Sequence, residues 1–184
     1  MFPGSDGPQL HYWQQKGYVE RLRKPWYRLT PQPWSQFERR AVANRMISPS
    51  YISLGSALSY HGLIPEGVFH ITSITTTHTR VFDIGRTRYF YRNVKPALYF
   101  GYDIIEQEAI AVRMADVEKT PLDVLYYDPK LNNATDLQAL RSDRTGLRDP
   151  LHMERFQNYL ILANNKALSQ RAERLTTWIH DQPR

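Results

Sequence analysis

The feature that most constrains the fold lies between Val68 and Ala115. There the chain breaks into short runs of β-branched and aromatic residues interleaved with polar ones: VFHITSITTT, RVFDI, RTRYFYRNV, LYFGYDII and AIAVRMA. A period of two with Val, Ile, Thr, Tyr and Phe reads as strand, because successive side chains then leave opposite faces of a pleated sheet. The breaks between runs, such as Ile84-Gly85-Arg86 and Asn93-Val94-Lys95-Pro96, are too short for helical crossovers. Residues 68–113 are therefore expected to hold most of the strand content, in an antiparallel or mixed sheet. Around it the pattern turns helical. Helices are predicted over 34–46, with Trp34, Phe37, Val42 and Met46 inward; over 51–61, capped by Ser50 and closed by Gly62; and over 115–127, where Pro121 sets the regular start near Thr120. Further helices are predicted over 135–141, over 151–163 (Leu151, Phe156, Tyr159, Leu160 and Leu162 inward), and over 166–180 (Leu168, Ala172, Leu175, Trp178 and Ile179 inward). Strands and helices segregated in this way describe an α+β fold.

The beginning of the chain differs from the rest. Residues 9–16 read as a short helix with Leu10, Trp13 and Tyr12 on its apolar side, ended by Gly17. YVERLR and WYRL then flank Lys24-Pro25 as two strands of a β-hairpin. Thr30-Pro31-Gln32-Pro33 stops both helix and strand and divides a small module, residues 1–30, from a main domain, residues 34–184. Charge is concentrated at this end. Residues 1–45 carry eight basic and three acidic side chains, a net +5 out of +6 for the chain. Two readings follow, a polyanion partner or a solvated basic face.

Several classes are disfavoured by what the chain lacks. With no cysteine there is no disulfide framework, thiolate nucleophile or Cys-based zinc site. No apolar run reaches the roughly 18–20 residues of a membrane span, and MFPGSDGPQL has neither a basic n-region nor an apolar h-region, so a cytoplasmic protein is expected. The glycines form no phosphate-cradling loop, and Gly55-Ser56 lacks the GxSxG elbow. The small residues Gly55, Ser56, Ala57 and Ser59 suit tight internal packing. The histidines His11, His61, His70, His78, His152 and His180 include no HExxH spacing; a metal pair at His70 and His78 would need further ligands. Glu118 and Asp123 stand five apart, off a common helical face, and Glu118-Lys119 reads as an exposed or helix-end charge pair. No catalytic residue, metal or cofactor is expected, and the chain reads as a non-enzyme.

A helix, a glycine, a basic two-stranded ribbon and an aromatic pair match the last third of a winged helix. There the helix enters a major groove and the wing meets phosphates or the minor groove. Arg21, Arg23, Lys24 and Arg28 would contact phosphates, with Lys16 adjoining them. Gln9, His11, Gln14 and Gln15 could reach base edges. The competing reading is a helix-hairpin that packs on the main domain through Trp13, Trp26 and Tyr27.

The residues also carry a family likeness. LHYWQQKGYVERLRKPWYRL resembles the recognition helix and wing of AbiEi-like antitoxins, which often show K-G-[YL]-[IV]-x-R-L-R-[RK]-G-x-Y. PSYISLGSALSYHGLIPE resembles the family's next block, ending in H-G-L-I-P. ITSITTTHTRVF, FYRNVKPALYFGY and IAVRMADVEKTPLDVLYY resemble its C-terminal domain with the E-K-A-L-x-D helix. Order and spacing hold over about residues 9–128. Pro25 stands where the family has glycine, and Thr120-Pro121 where it has Ala-Leu. Only eight residues precede Gln9, so a shortened winged helix or a late start is expected. The resemblance implies a type IV antitoxin and transcriptional regulator. Its N-terminal part would bind duplex DNA of its own operon, and its C-terminal part would oppose a nucleotidyltransferase-type toxin without stable contact. The alternatives are a non-enzymatic protein-interaction module with a vestigial basic arm, or an RNA-binding protein that stacks bases on exposed tyrosines.

Overall fold

The structure is a computed structural model that describes residues 7–23, 26–29, 33–132 and 151–180. The fold is α+β, with six helices, a six-stranded mixed sheet and a two-stranded hairpin among these residues. Helix α1 (Gly7–Gln15) precedes the hairpin β1 (Val19–Arg23) and β2 (Trp26–Leu29). Helix α2 (Gln36–Met46), strand β3 (Ser50–Ile52), helix α3 (Gly55–Tyr60) and strands β4 (Ile71–Thr75), β5 (Arg80–Ile84), β6 (Thr87–Asn93), β7 (Tyr102–Gln107) and β8 (Ile110–Ala115) follow. Helices α4 (Lys119–Tyr127), α5 (Met153–Ala163) and α6 (Lys166–His180) complete the described chain. The helix expected over 135–141, the Lys24-Pro25 turn and residues 30–32 of the proline-rich break lie outside the described residues.

Strand order in the large sheet is β5-β6-β4-β3-β8-β7. Its outer hairpins, β5–β6 and β7–β8, are antiparallel, and β4 runs parallel to β6. The centre is β3, antiparallel to β4 and parallel to β8. This corrects the helix expected over 51–61. Small residues at 53–59 suggest helix, but Ser50, Tyr51 and Ile52 are wholly buried between two neighbouring strands. A segment buried on both faces loses the alternation that marks an edge strand, and pairing on both sides outweighs local propensity. Leu54, at φ +54°, turns the chain sharply into the short α3, and Gly62 at φ +68° ends that helix. The N–H of Gly62 donates to Ser59 O, and that of Leu63 to Leu58 O.

The two faces of the sheet are covered differently. Asn44 Nδ2 on α2 donates to Ser50 O, and Tyr91 Oη on β6 donates to Ala43 O, which fixes α2 against one face. A capping box starts this helix: Glu38 N donates to Ser35 Oγ, and Ser35 N to Glu38 Oε2. On the other face, Leu58, Leu63, Leu122, Leu125, Phe156, Leu168, Ala172, Leu175, Trp178 and Ile179 bring α3–α6 into one apolar cluster. The buried residues of α6 are the five expected. Leu151, just before α5, and Phe156 on it are buried as expected, but Leu162 is 60% exposed and Ile161 75%. The helix docks by one narrow stripe that these two residues miss.

Candidate nucleic-acid interface

The helix-hairpin forms as the sequence implies. Gly17 at φ +72° takes the left-handed turn after α1, and Tyr18 N donates to Trp13 O. In β1–β2 the register pairs Val19 with Leu29, Glu20 with Arg28 and Arg21 with Tyr27, with an irregularity before Arg23 and Trp26. Val19 is buried, and Leu10, Trp13, Leu22 and Tyr27 are half-buried. Gln9, His11, Gln14, Gln15 and Lys16 on and after α1 are exposed, as is Arg21 on the ribbon. One turn of α1 ties His11 to Gln15, whose amide donates to the His11 ring at 3.2 Å, and Lys16 Nζ lies 5.8 Å from the Tyr12 ring centre. The structure therefore brings Gln9, His11, Gln14, Gln15, Lys16 and Arg21 onto one small module. Lys24 and the side chain of Arg23 lie outside the described residues.

Arg28 occupies a different position from the other cations. Its guanidinium donates to Glu20 Oε2 at 2.7 Å from the partner strand and lies 4.8 Å from the ring centre of Trp34, with only 23% of the side chain exposed. Leu22 packs against the core of the main sheet. The ribbon thus leans on the main domain through Leu22 and the Arg28–Trp34 stack. Arg28 helps to hold it there, while Arg21 stands exposed on the ribbon.

No protein-family model matches the chain, and a search of curated proteins found no match. The functional reading therefore rests on the residues and their arrangement.

The D-x-E-K-x-x-x-D stretch, residues 116–123, puts Glu118-Lys119 at the N-terminal end of α4, one of the two expected readings, but buried rather than exposed. Glu118, Lys119 and Asp123 are 1%, 3% and 1% exposed. Lys119 Nζ is bonded to Asp123 Oδ1, one turn on, and sits 5.0 Å from the Phe100 ring centre and 5.7 Å from that of Tyr51. Asp123 Oδ2 accepts from Ser53 Oγ at 2.7 Å and from Tyr51 Oη at 3.1 Å, which joins α4 to β3. Asp116 Oδ1 accepts from Lys119 N, Asp116 Oδ2 from the Tyr159 hydroxyl, and Glu118 Oε1 from His152 N at 2.9 Å, which joins α4 to α5. Arg155 Nη1 lies 3.8 Å from Glu118 Oε2. Burial pushes the Asp123 carboxyl above its ordinary range, against the pull of Lys119 and the two hydroxyls. Burial likewise raises Asp116, opposed by Tyr159. Each carboxylate is consumed by its own structural partners, and Glu118 and Asp123 do not converge on a common point.

His61 and His70 have local partners. His61 Nε2 donates to Ala115 O at 2.7 Å, and the His70 ring meets Phe90 edge-on at 5.3 Å. Among the described residues no group of three or more His, Cys, Asp and Glu could hold a metal ion. No helix there is long and apolar enough to cross a membrane. A pattern search finds carboxylates and lysines but not the fold that buries them; only the i, i+4 spacing of Lys119 and Asp123 within an apolar helix could have flagged this pair.

Proposed function

We propose that this protein is an antitoxin-like transcriptional regulator that binds duplex DNA through α1 and the β1–β2 ribbon. Its main domain, on this reading, opposes a nucleotidyltransferase-type toxin. The observation that carries the DNA-binding half is that Gln9, His11, Gln14, Gln15 and Lys16, on and just after α1, are exposed beside the basic ribbon, with His11, Gln14 and Gln15 on one side of a helix tied to the ribbon by the bond from Tyr18 N to Trp13 O. Amide and imidazole groups can read base edges in a major groove, while the cations anchor phosphates. The reading of the main domain rests on the ordered likeness to AbiEi-like antitoxins. The buried Lys119–Asp123 pair adds support, because it gives a physical reason for the E-K-x-x-x-D spacing on which that likeness partly depends.

The test is a salt titration of binding to DNA upstream of the protein's own gene, against a scrambled duplex. With Arg28 held by Glu20 and Trp34, about three ribbon contacts remain. At roughly 0.9 counterions released per contact, log K should fall with log salt at a slope near −3. Replacing Arg21, Arg23 and Lys24 with Ala should remove that dependence. Absence of binding to either duplex at low salt would instead favour a protein-interaction module, the reading that the docking of Leu22 and Arg28 on the main domain supports. For the main domain, co-expression with a nucleotidyltransferase encoded beside the gene should restore growth that the enzyme alone arrests.

A further inference from the structure

A second concentration of positive charge lies later in the sequence than α1 and the ribbon. Residues 78–95, the β5–β6 hairpin and its flanks, carry Arg80, Arg86, Arg88, Arg92 and Lys95 against the single acid Asp83. All six are exposed. Strand alternation divides β6 into two faces. Thr87, Tyr89 and Tyr91 are buried toward α2, and Arg88, Phe90 and Arg92 lie on the opposite side. Register sets Val81 beside Phe90 and Asp83 beside Arg88 on that same side. Val81 is 52% exposed and Phe90 half-buried, while neighbouring Phe69 is 88% exposed. The His70 ring meets Phe90 edge-on, and the Arg92 guanidinium lies 5.9 Å from the Tyr127 ring centre. The centre of this face is therefore aromatic. Arg86, at the hairpin turn, and Arg92 with Lys95, at the far end of β6, flank it with cations.

We infer that this open face of β5–β6 is a binding platform for single-stranded RNA. An exposed sheet surface bearing an aromatic ring between cations suits unpaired bases, which present a π-face to Phe90 and His70 while their phosphates reach Arg86, Arg92 and Lys95. Phe90 and Arg92 follow at a two-residue step of about 6.6–6.8 Å along the strand, so a base contact and a backbone contact can lie side by side, while Arg88 is paired with Asp83. A duplex keeps its bases stacked inside and would leave the aromatic centre unused. Asp83, held by Arg88 through Nε at 2.7 Å and Nη2 at 3.0 Å, keeps acceptor capacity that a 2′-hydroxyl can use and a deoxyribose cannot.

The test is fluorescence anisotropy with a labelled oligouridine of about twelve nucleotides, its deoxythymidine counterpart and a duplex of the same length. The expected order is RNA tightest, the deoxy strand several-fold weaker and the duplex weakest at these residues. Phe90→Ala should weaken RNA binding roughly tenfold through lost stacking. Arg92→Ala with Lys95→Ala should flatten the salt slope by about 1.4, at roughly 0.7 per single-strand phosphate contact. Melting curves check folding, and if Phe90→Ala unfolds the protein, the salt slope of the two exposed cation variants decides. Three results would overturn the inference: no oligouridine binding at low salt, all variants within twofold of wild type, or RNA binding lost with Arg21→Ala and kept with these variants. Equal affinity for the deoxy strand would overturn the assignment to RNA. The platform shares no residue with α1 or the ribbon, so its failure leaves the proposed DNA interface untouched.

Discussion

Replacing Lys119 with Met isolates the energetics of the main domain. Met keeps an unbranched stem against Gly101 and Phe100 but removes the charge that partners Asp123, and both side chains are almost wholly buried. Breaking one side of such a pair leaves an uncompensated buried charge, at a cost of about 3–5 kcal/mol. For a domain of this size each 1 kcal/mol moves Tm by roughly 2–4 °C, so a fall of about 6–20 °C is expected. The loss should depend on pH. The folded-state pKa of Asp123 lies above its unfolded value because of burial. The folded protein therefore binds the extra proton, and stability declines as pH rises from about 4 through the folded pKa. Removing Lys119 takes away the main opposing attraction, raises that pKa further, and carries the decline to higher pH. Lys119→Met should thus cost least at acid pH and most at neutral pH. Adding Asp123→Asn, which abolishes the stranded charge and keeps an acceptor for Ser53 and Tyr51, should recover at least about 1 kcal/mol at neutral pH, read as a coupling energy. The assay is thermal melting followed by circular dichroism between pH 4 and pH 8. A shift below about 1 kcal/mol for Lys119→Met, or one independent of pH, would refute the reasoning.

Other outcomes follow from particular contacts. Gly101 sits at φ +72°, and a Cβ there would lie 2.9–3.0 Å from Lys119 side-chain carbons, so Gly101→Ala should cost at least about 1–3 kcal/mol. Gly67→Ala, into open space, should leave the melting curve near wild type. Burial raises Tyr89 and Tyr99 to about 12 and moves Tyr51, Tyr127 and Tyr159 in the same direction. Stability should accordingly fall as pH rises above about 10, where unfolded tyrosines lose their protons first. Phenolate absorbance should then show a late step that coincides with unfolding by circular dichroism. Glu20→Gln removes the carboxylate that holds Arg28, so duplex binding should acquire up to one further contact and a slope steeper by about 0.9; an unchanged slope would place Arg28 permanently against Trp34.

The sequence carried the outline of the fold where the pattern was local. Alternation located β4–β8, Gly17 and the basic ribbon located the helix-hairpin, and the spacing Leu168, Ala172, Leu175, Trp178, Ile179 located α6 and its buried side. What stayed hidden was non-local. Ser50–Ile52 is a strand because two distant strands flank it, and nothing within YISLGSALSYH announces that. Glu118 and Lys119 read as an exposed or helix-end pair until Tyr51 on β3 and the following Ser53 bind Asp123, and α5 supplies Tyr159 and Arg155. That Arg28 pairs with Glu20 is visible only once the hairpin register sets the two opposite each other. The charge on β5–β6 is not legible in a net sum over the long C-terminal part, where acids elsewhere cancel it, whereas the fold gathers it on one hairpin.

Hydrogen–deuterium exchange of the full chain, with and without duplex DNA from upstream of its gene, tests the central claim most directly. The proposed interface requires that protection appear in residues 9–29 and be weakened by raised salt and by Arg21→Ala. Protection confined to the β5–β6 face, or none at a duplex concentration that saturates binding, would contradict it.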